Sequence, residues 1–205
     1  MSQLKIAVLV SGGGTNLQAL IDNIDNINAE IDVVISNKRD AYGLERARLN
    51  NIDAIHINPK DYQDTEAFND EIIKELIKRN IDLVVLAGYL KILSKKFIKD
   101  FKNRIINIHP SLIPSFCGKG FYGLKVHEEA IKYGVKISGA TVHFVDEDAD
   151  TGAIILQDTV RIDDNDTAET LQKKVLQIEH KLLPEAVKLF CEGKLYIEDR
   201  RVIVK

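Results

Sequence analysis

The sequence predicts an α/β protein with a Rossmann-like, mostly parallel central sheet flanked by helices, and with antiparallel strands added in the C-terminal half. Short β-branched apolar segments alternate with helix-like segments up to about residue 110. These strand segments are apolar on both faces, as in parallel sheets that helices cover on both sides. Beyond them lie two longer extended segments separated by an acidic loop, which favours an antiparallel pair.

The alternating half is predicted from apolar spacing. The helix over residues 65–79 is the clearest, because Phe68, Ile72 and Leu76 recur at the spacing of one helix face. The predicted strands cover residues 4–10, 31–36, 54–57, 83–87 and 105–109. The other predicted helices cover residues 15–24, 43–50 and 94–101.

The second half is predicted to follow a different pattern. A Pro- and Gly-rich loop over residues 110–123 precedes a helix at 125–133, and the extended pair covers 137–145 and 154–162. A long helical pattern over 167–191 is expected to be interrupted at Pro184, because proline removes a helical N–H donor. A small hairpin is expected over residues 195–204. With no linker or repeat, we expect one domain over residues 1–205.

Composition narrows the class of protein. The net charge of −3 gives no basic surface for nonspecific nucleic-acid binding. No apolar run reaches the roughly 20 residues needed to span a bilayer. The two cysteines, Cys117 and Cys191, form neither a disulfide framework nor a zinc motif. The N-terminal segment from Met1 has no signal-peptide pattern, so we expect a cytoplasmic protein.

The first strand is followed by a glycine loop, Ser-Gly-Gly-Gly-Thr-Asn, at residues 11–16. Free N–H groups at the start of the next helix can bind a phosphate there, although a tight turn without a ligand has the same pattern. The dinucleotide fingerprint fits poorly, because its third glycine would fall at Leu17. A P-loop is disfavoured because Gly120 follows Lys119. A phosphate monoester on a small substrate remains the favoured ligand.

Two polar residues, Asn107 and His109, lie at the end of the fifth predicted strand and share one face by alternation. An amide can donate to a developing oxyanion, and an imidazole can transfer a proton near neutral pH, so the pair suits acyl transfer. The alternative is a histidine that only caps the strand.

The sequence gives little evidence for a catalytic nucleophile. The chain has no G-x-S-x-G elbow. Ser111 is interpreted as a turn or substrate-contact residue. Cys117 lacks a recognisable neighbour that would lower its pKa. Direct transfer between two bound substrates, without a covalent enzyme intermediate, therefore remains.

The acidic loop contains four acids within residues 146–150, a composition typical of a solvated turn. Asp150 precedes Gly152 by two residues, so a turn there could direct its carboxylate inward. Beside His109 that carboxylate would orient the ring and raise its pKa. A metal site is disfavoured, because no helical His/Glu pair or calcium-loop spacing accompanies these acids.

Taken in order, these motifs resemble the phosphoribosylglycinamide formyltransferases, a family of folate-dependent formyltransferases. The most specific are Asn-Ile-His-Pro-Ser-Leu-x-Pro at 107–114 and the Asp150-Thr151-Gly152 turn, which methionyl-tRNA formyltransferases and formyltetrahydrofolate deformylases share. The glycine loop and Glu179-His180 favour the glycinamide enzymes, and the chain has no room for the extra modules of the other two groups. Further matching segments are residues 36–38, 43–47, 86–89 and 92–94.

The resemblance implies formyl transfer from 10-formyltetrahydrofolate, a co-substrate, to the amine of glycinamide ribonucleotide in de novo purine biosynthesis, without a metal. It implies a phosphate-substrate half at about residues 1–100 and a folate and catalytic half at about 101–205. The implied catalytic residues are Asn107, His109 and Asp150. The implied substrate-binding residues are Gly14, Thr15 and Asn16 for the phosphate and Glu179 for the ribose. The implied folate-binding residues are Thr65, Leu90, Lys91, Ile92, Leu93, Asp146, Glu147, Asp148 and Ala149.

Three of these positions depart from the family pattern. Thr65 stands where an arginine often contacts folate, Lys91 where arginine is common, and Ala149 where a larger aliphatic residue is usual. The first two are expected to weaken folate affinity or shift it to other contacts. A monomer and a homodimer both fit, with small-molecule partners only and neither nucleic acid nor a membrane. The alternatives are another folate-dependent formyltransferase, a formyl-folate hydrolase, and a noncatalytic phospholigand-binding module.

Overall fold

The computed structural model describes residues 3–205, which form two compact units, one ending at Ile106 and the other beginning at Asn107. Met1 and Ser2 lie outside the described residues. They are the first residues of the N-terminal segment in which no signal-peptide pattern was found.

A parallel sheet organises the first unit, with strand order β3-β2-β1-β4. Its strands are β1 (Leu4–Val10), β2 (Ala29–Ser36), β3 (Asp53–His56) and β4 (Leu83–Leu86). Every residue of β4 is buried, which is the physical reason that its sequence is apolar without alternation. The carboxyl ends of these parallel strands meet at one edge of the sheet, and the glycine loop leaves β1 there.

The described part of the first unit, residues 3–106, contains the helices α1 (Thr15–Asn23), α2 (Tyr42–Leu49), α3 (Thr65–Lys78) and α4 (Lys95–Asp100). Side chains define two of their starts, because Asp64 accepts a hydrogen bond from the Ala67 N–H and Ser94 accepts one from the Phe97 N–H. As predicted, α3 buries its apolar stripe. Short 3₁₀ turns cover Ile24–Asn26 and Pro59–Asp61.

The second unit contains the antiparallel strands. The strand β5 (Ile105–His109) crosses the boundary between the units. The next strands, β6 (Ile137–Phe144) and β7 (Ile154–Arg161), pair antiparallel, as do β8 (Leu195–Glu198) and β9 (Arg201–Val204). The helices are α5 (Leu124–Tyr133) and α6 (Ala168–Cys191), and α6 packs against α5, β6 and β7. The predicted fold class is therefore confirmed.

The predicted break at Pro184 is wrong, because α6 continues through that residue to Cys191. Proline removes only one N–H donor from a helix of 24 residues. Pro184 is buried together with Leu183 and Val187. Packing of this apolar face therefore outweighs the local preference of proline for a helix end.

A helix spans a membrane only if it has about 20 predominantly apolar residues. Among residues 3–205, no helix is long and apolar enough to cross a bilayer.

Candidate active site

Alternation along β5 sets the orientation of Asn107 and His109. Ile106 and Ile108 are buried on the opposite face, while His109 is only 5% exposed. A polar ring with so little access to water needs hydrogen-bond partners, because burying its nitrogen atoms without them costs free energy. These partners come from the loop after β5 and from the acidic turn.

His109 lies between a carbonyl and a carboxylate. Its Nε2 is 3.0 Å from the Phe116 carbonyl oxygen, and its Nδ1 is 3.6 Å from Asp150 Oδ2. Because a carbonyl only accepts, Nε2 carries the proton in this arrangement, and Nδ1 faces the carboxylate. Burial lowers the pKa of His109 below its ordinary value, while Asp150 opposes that shift. The carboxylate thus acts in the expected direction, but the expected net rise in pKa is wrong because desolvation outweighs it.

The turn around Asp150 directs its carboxylate inward. Asp150 has a left-handed backbone with φ 59°, and its Oδ2 accepts a 2.8 Å hydrogen bond from the Gly118 N–H. Burial alone would raise the pKa of Asp150, but His143 and His109 when protonated, together with this N–H, lower it, so the group is ionised at neutral pH. A side chain at Gly152 would place its Cβ 1.8 Å from the Phe144 carbonyl oxygen. The turn therefore requires glycine there.

The residues before Asp150 remain in solvent. Asp146, Glu147, Asp148 and Ala149 are exposed, as expected of a solvated turn. Asp146 accepts a 2.5 Å hydrogen bond from the Thr151 hydroxyl. Within this loop, the Asp150 carboxylate reaches both His109 and His143.

His143 was not predicted as a site residue, yet it contacts both the amide and the carboxylate. Its Nδ1 is 2.7 Å from the Phe144 carbonyl oxygen and therefore carries a proton. Its Nε2 is 3.1 Å from Asn107 Nδ2, and in the neutral ring it accepts a hydrogen bond from that amide. The same Nε2 lies 3.6 Å from Asp150 Oδ1. The feature of the sequence that could have identified His143 is the alternation of side chains along β6, which places Thr141 and His143 on one face.

Thr141, on that same face, fixes the loop that follows β5. Its hydroxyl donates a 2.6 Å hydrogen bond to the Ser111 carbonyl and accepts a 3.1 Å one from the Ile113 N–H. The Ser111 hydroxyl donates to the Ser115 carbonyl at 2.6 Å, which fits its predicted role in a turn. The Ile113–Pro114 peptide bond, whose isomer the sequence left open, is cis.

The thiol of Cys117 does not have the properties of a nucleophile. Burial, followed by the charge of Asp150, raises its pKa, so the thiolate is scarce at neutral pH. Its Sγ donates a 3.3 Å hydrogen bond to the Pro114 carbonyl.

The glycine loop belongs to the first unit. Gly14 has φ 68°, and a Cβ on it would lie 2.7 Å from Gly43 Cα, so both its backbone angle and its close contact with α2 require glycine. Thr15 begins α1 directly after it, and Asn16 is buried. The loop thus occupies the helix start, where N–H groups favour an anion.

Ser11 connects three strand ends beside this loop. Its hydroxyl donates a 2.5 Å hydrogen bond to Asn37 Oδ1, after β2, and accepts a 2.8 Å bond from the Leu90 N–H, after β4. The Ser36-Asn37-Lys38 motif thus has a structural role at this edge of the sheet.

The predicted folate-binding residues of the first unit lie on two segments that Asn69 connects. This buried amide donates a 2.8 Å hydrogen bond to the Thr65 carbonyl and accepts a 3.1 Å bond from the Ser94 N–H. Ser94 follows directly after Leu90, Lys91, Ile92 and Leu93. Leu90 and Ile92 are 51% and 73% exposed, so this segment presents two large apolar side chains to solvent. Asn69 was not predicted as a site residue. The feature of the sequence that could have identified it is an amide on the apolar stripe of α3.

The arrangement brings Asn107, His109 and Asp150 together within the second unit, and adds His143 to them. Glu179 lies on α6 of the same unit and is 7% exposed. Two hydrogen-bond donors and an ionised carboxylate around one polar strand end suit stabilisation of an oxyanion and transfer of a proton.

Comparison with known proteins relates this geometry to a family. Residues 4–187 match the formyl transferase family. The phosphoribosylglycinamide formyltransferase of Haemophilus influenzae is 43% identical over 95% of this chain and 91% of its own length. The crystal structure of glycinamide ribonucleotide transformylase 1 from Symbiobacterium toebii has a TM-score of 0.94 at 45% identity, covering 99% of this chain and 94% of that one.

A third relative is much longer. The human trifunctional purine biosynthetic protein adenosine-3 is 44% identical over 94% of this chain. The chain spans 14% and 19% of the length of the Chironomus tentans and human trifunctional proteins that it matches.

Proposed function

Since the chain belongs to the formyl transferase family, we propose that it transfers the formyl group of 10-formyltetrahydrofolate to the primary amine of glycinamide ribonucleotide. The convergence of Asn107, His109 and Asp150 carries this proposal. Formyl transfer needs donors for a carbonyl oxygen that becomes negative and a group that accepts a proton from the attacking amine. The cluster supplies both kinds of group.

Attack of the neutral amine on the formyl carbon forms the new N–C bond and converts the formyl oxygen into an oxyanion. The Asn107 amide donates one of its two hydrogens to His143 Nε2, which leaves the second hydrogen to be donated to this oxyanion. His109 Nε2–H is the second donor, and the formyl oxygen takes the place of the Phe116 carbonyl there.

Collapse of the tetrahedral intermediate breaks the bond between the formyl carbon and N10 of the folate. The nitrogen that attacked must lose a proton, and N10 must gain one. The ionised Asp150 accepts the proton from the amine and returns it to N10, directly or through a water molecule. The products are formylglycinamide ribonucleotide and tetrahydrofolate, so atoms and charge balance.

We propose that the other predicted residues bind the two substrates. Gly14, Thr15 and Asn16 bind the phosphate, supported by the left-handed Gly14 at the start of α1. Glu179 accepts hydrogen bonds from the ribose hydroxyls. The pteridine and its linker bind at Thr65, Leu90, Lys91, Ile92, Leu93, Asp146, Glu147, Asp148 and Ala149. The exposed Leu90 and Ile92 support this assignment. We also propose that the protein acts in the cytoplasm on these small molecules.

The experiment is a reaction of the purified protein with both substrates. We expect tetrahydrofolate and formylglycinamide ribonucleotide to form in equal amounts. Consumption of formyl-folate at the same rate without an acceptor would identify a hydrolase instead. Faster transfer to an amino sugar or another amine would identify a different formyltransferase. No turnover in any of these reactions would contradict an enzymatic role.

A further inference from the structure

Two consecutive peptide planes of the glycine loop are anchored to α2 through their carbonyl groups. The Gly12 carbonyl accepts a 3.0 Å hydrogen bond from the Gly43 N–H. The Gly13 carbonyl accepts a 2.8 Å hydrogen bond from Arg46 Nε. One anchor is therefore backbone, while the other is a side chain that can be replaced.

These anchors determine where the next two N–H groups point. In a planar trans peptide the C=O and the N–H that follows it point in opposite directions. Since the carbonyls of Gly12 and Gly13 are directed at α2, the N–H groups of Gly13 and Gly14 are directed away from it. Consecutive N–H groups directed to one side form a concavity that binds anions.

Arg46 is itself held in place by contacts on two other sides. Its Nη1 donates a 3.0 Å hydrogen bond to Gln18 Oε1 on α1, and its guanidinium carbon lies 4.9 Å from the centre of the Tyr42 ring. The N–H of Gln18 in turn donates to the Gly14 carbonyl at 3.0 Å. One guanidinium thus connects α2, the loop and α1, a task for which its fixed fork of donors is suited.

We propose that Arg46 is a positioning residue for the substrate phosphate, acting through the Gly13 carbonyl to orient the N–H groups of the glycine loop. The inference rests on the proposed function, since it assigns the phosphate of glycinamide ribonucleotide to that loop. It requires no direct contact between Arg46 and the phosphate.

The test compares Arg46→Met and Arg46→Lys with Arg48→Met, a control on the same helix that removes an exposed arginine paired with Glu45. In Arg46→Met we expect KM for glycinamide ribonucleotide to rise about tenfold, as for loss of one charge-assisted hydrogen bond. The kcat and the KM for formyl-folate should stay within about twofold of the parent. Arg46 acts on the Gly13 carbonyl, whereas Ser11, the loop residue that binds the Leu90 N–H, has its own anchor on Asn37. Arg46→Lys keeps the charge but loses the fork, so its KM should rise as well.

A wild-type KM in Arg46→Met would overturn the proposal. So would full recovery in Arg46→Lys, because charge alone would then suffice. If Arg46→Met does not fold, Gln18→Leu, which removes the second anchor of the guanidinium, should raise the same KM.

A calorimetric titration with ribose 5-phosphate separates this inference from the proposed reaction. Weaker binding to Arg46→Met than to the parent and Arg48→Met would support the positioning role, even for a protein that transfers no formyl group. Equal binding to all three, or no binding to the parent, would contradict it.

Discussion

At the scale of single residues, hydrogen bonds decide which group each side chain presents to a substrate. The Phe144 carbonyl selects the tautomer of His143, and His143 then fixes the orientation of the Asn107 amide. The Phe116 carbonyl places a proton on His109 Nε2 in the same way. Substitutions at these positions should therefore affect turnover more than folding.

Replacing Asn107 with alanine removes a donor to the oxyanion. We expect kcat to fall by about 10²–10³, the usual effect of losing one such donor. The KM of both substrates and the unfolding midpoint should change little, since Asn107 is half-buried. Steady-state kinetics measure this, with Asn26→Ala as a control at an exposed amide. Near-normal turnover in Asn107→Ala would remove Asn107 from the mechanism.

Replacing His143 with phenylalanine keeps a ring of similar size but removes the acceptor for Asn107. We expect kcat to fall about tenfold, because Asn107 remains but loses one neutral hydrogen bond that orients it. The double variant with Asn107→Ala should be little worse than Asn107→Ala alone. Independent, multiplying effects in this double-mutant cycle would show that His143 does not act through Asn107.

At the scale of elements, short polar motifs define where helices and turns begin. The helix α6, which carries Glu179, starts at a capping box in which the Thr167 hydroxyl accepts a hydrogen bond from the Thr170 N–H and the Thr170 hydroxyl accepts one from the Thr167 N–H. The cap is local, so its loss should affect stability without affecting the chemistry.

Thr167→Ala removes one of the two hydrogen bonds of this capping box, the one that the Thr167 hydroxyl accepts from the Thr170 N–H. We expect the free energy of unfolding to fall by about 1 kcal/mol. Urea denaturation measures it, and Thr159→Ala on an exposed position of β7 is the matched control. An equal loss in both variants would mean that the cap contributes nothing specific.

At the scale of the whole molecule, the buried histidines make stability depend on pH. Burial, followed by the charge of His109, lowers the pKa of His127 to about 4, and burial also lowers the pKa of His109. An unfolded histidine has a pKa of about 6.5, so the unfolded chain binds more protons below that pH. Stability therefore falls as the pH drops from about 6.5 towards 4. The lowered pKa of Asp150 contributes stability that is lost only at more acidic pH.

Replacing His127 with leucine tests this proton balance. Between pH 7 and pH 5 we expect His127 to account for about 2 kcal/mol of the loss in unfolding free energy. His127→Leu should therefore show a smaller difference between the two pH values than the parent protein, whatever its stability at pH 7. Chemical denaturation at both pH values measures it. Equal pH dependence in variant and parent would show that His127 titrates alike in the folded and unfolded states.

Sequence patterns were sufficient where a local rule applied without competition. The apolar runs of β1 and β4 and the apolar stripe of α3 placed these elements to within a few residues. Asp150 was identified as the acid directed inward because Gly152 signalled a turn, and that turn is sterically required. Local reasoning was wrong at Pro184, where burial of a helix face outweighed the preference of one residue.

The sequence by itself determined the order of strands and helices, the glycine loop, and the polar strand end at Asn107 and His109, because periodicity and turn chemistry act over a few neighbouring residues. Only the tertiary structure decided the contacts of His143 with Asn107, of Asn69 with Ser94 and of Arg46 with Gly13. It also decided that burial lowers the pKa of His109 despite Asp150. Desolvation and long-range hydrogen bonds depend on which distant segments pack together, and no local pattern records that.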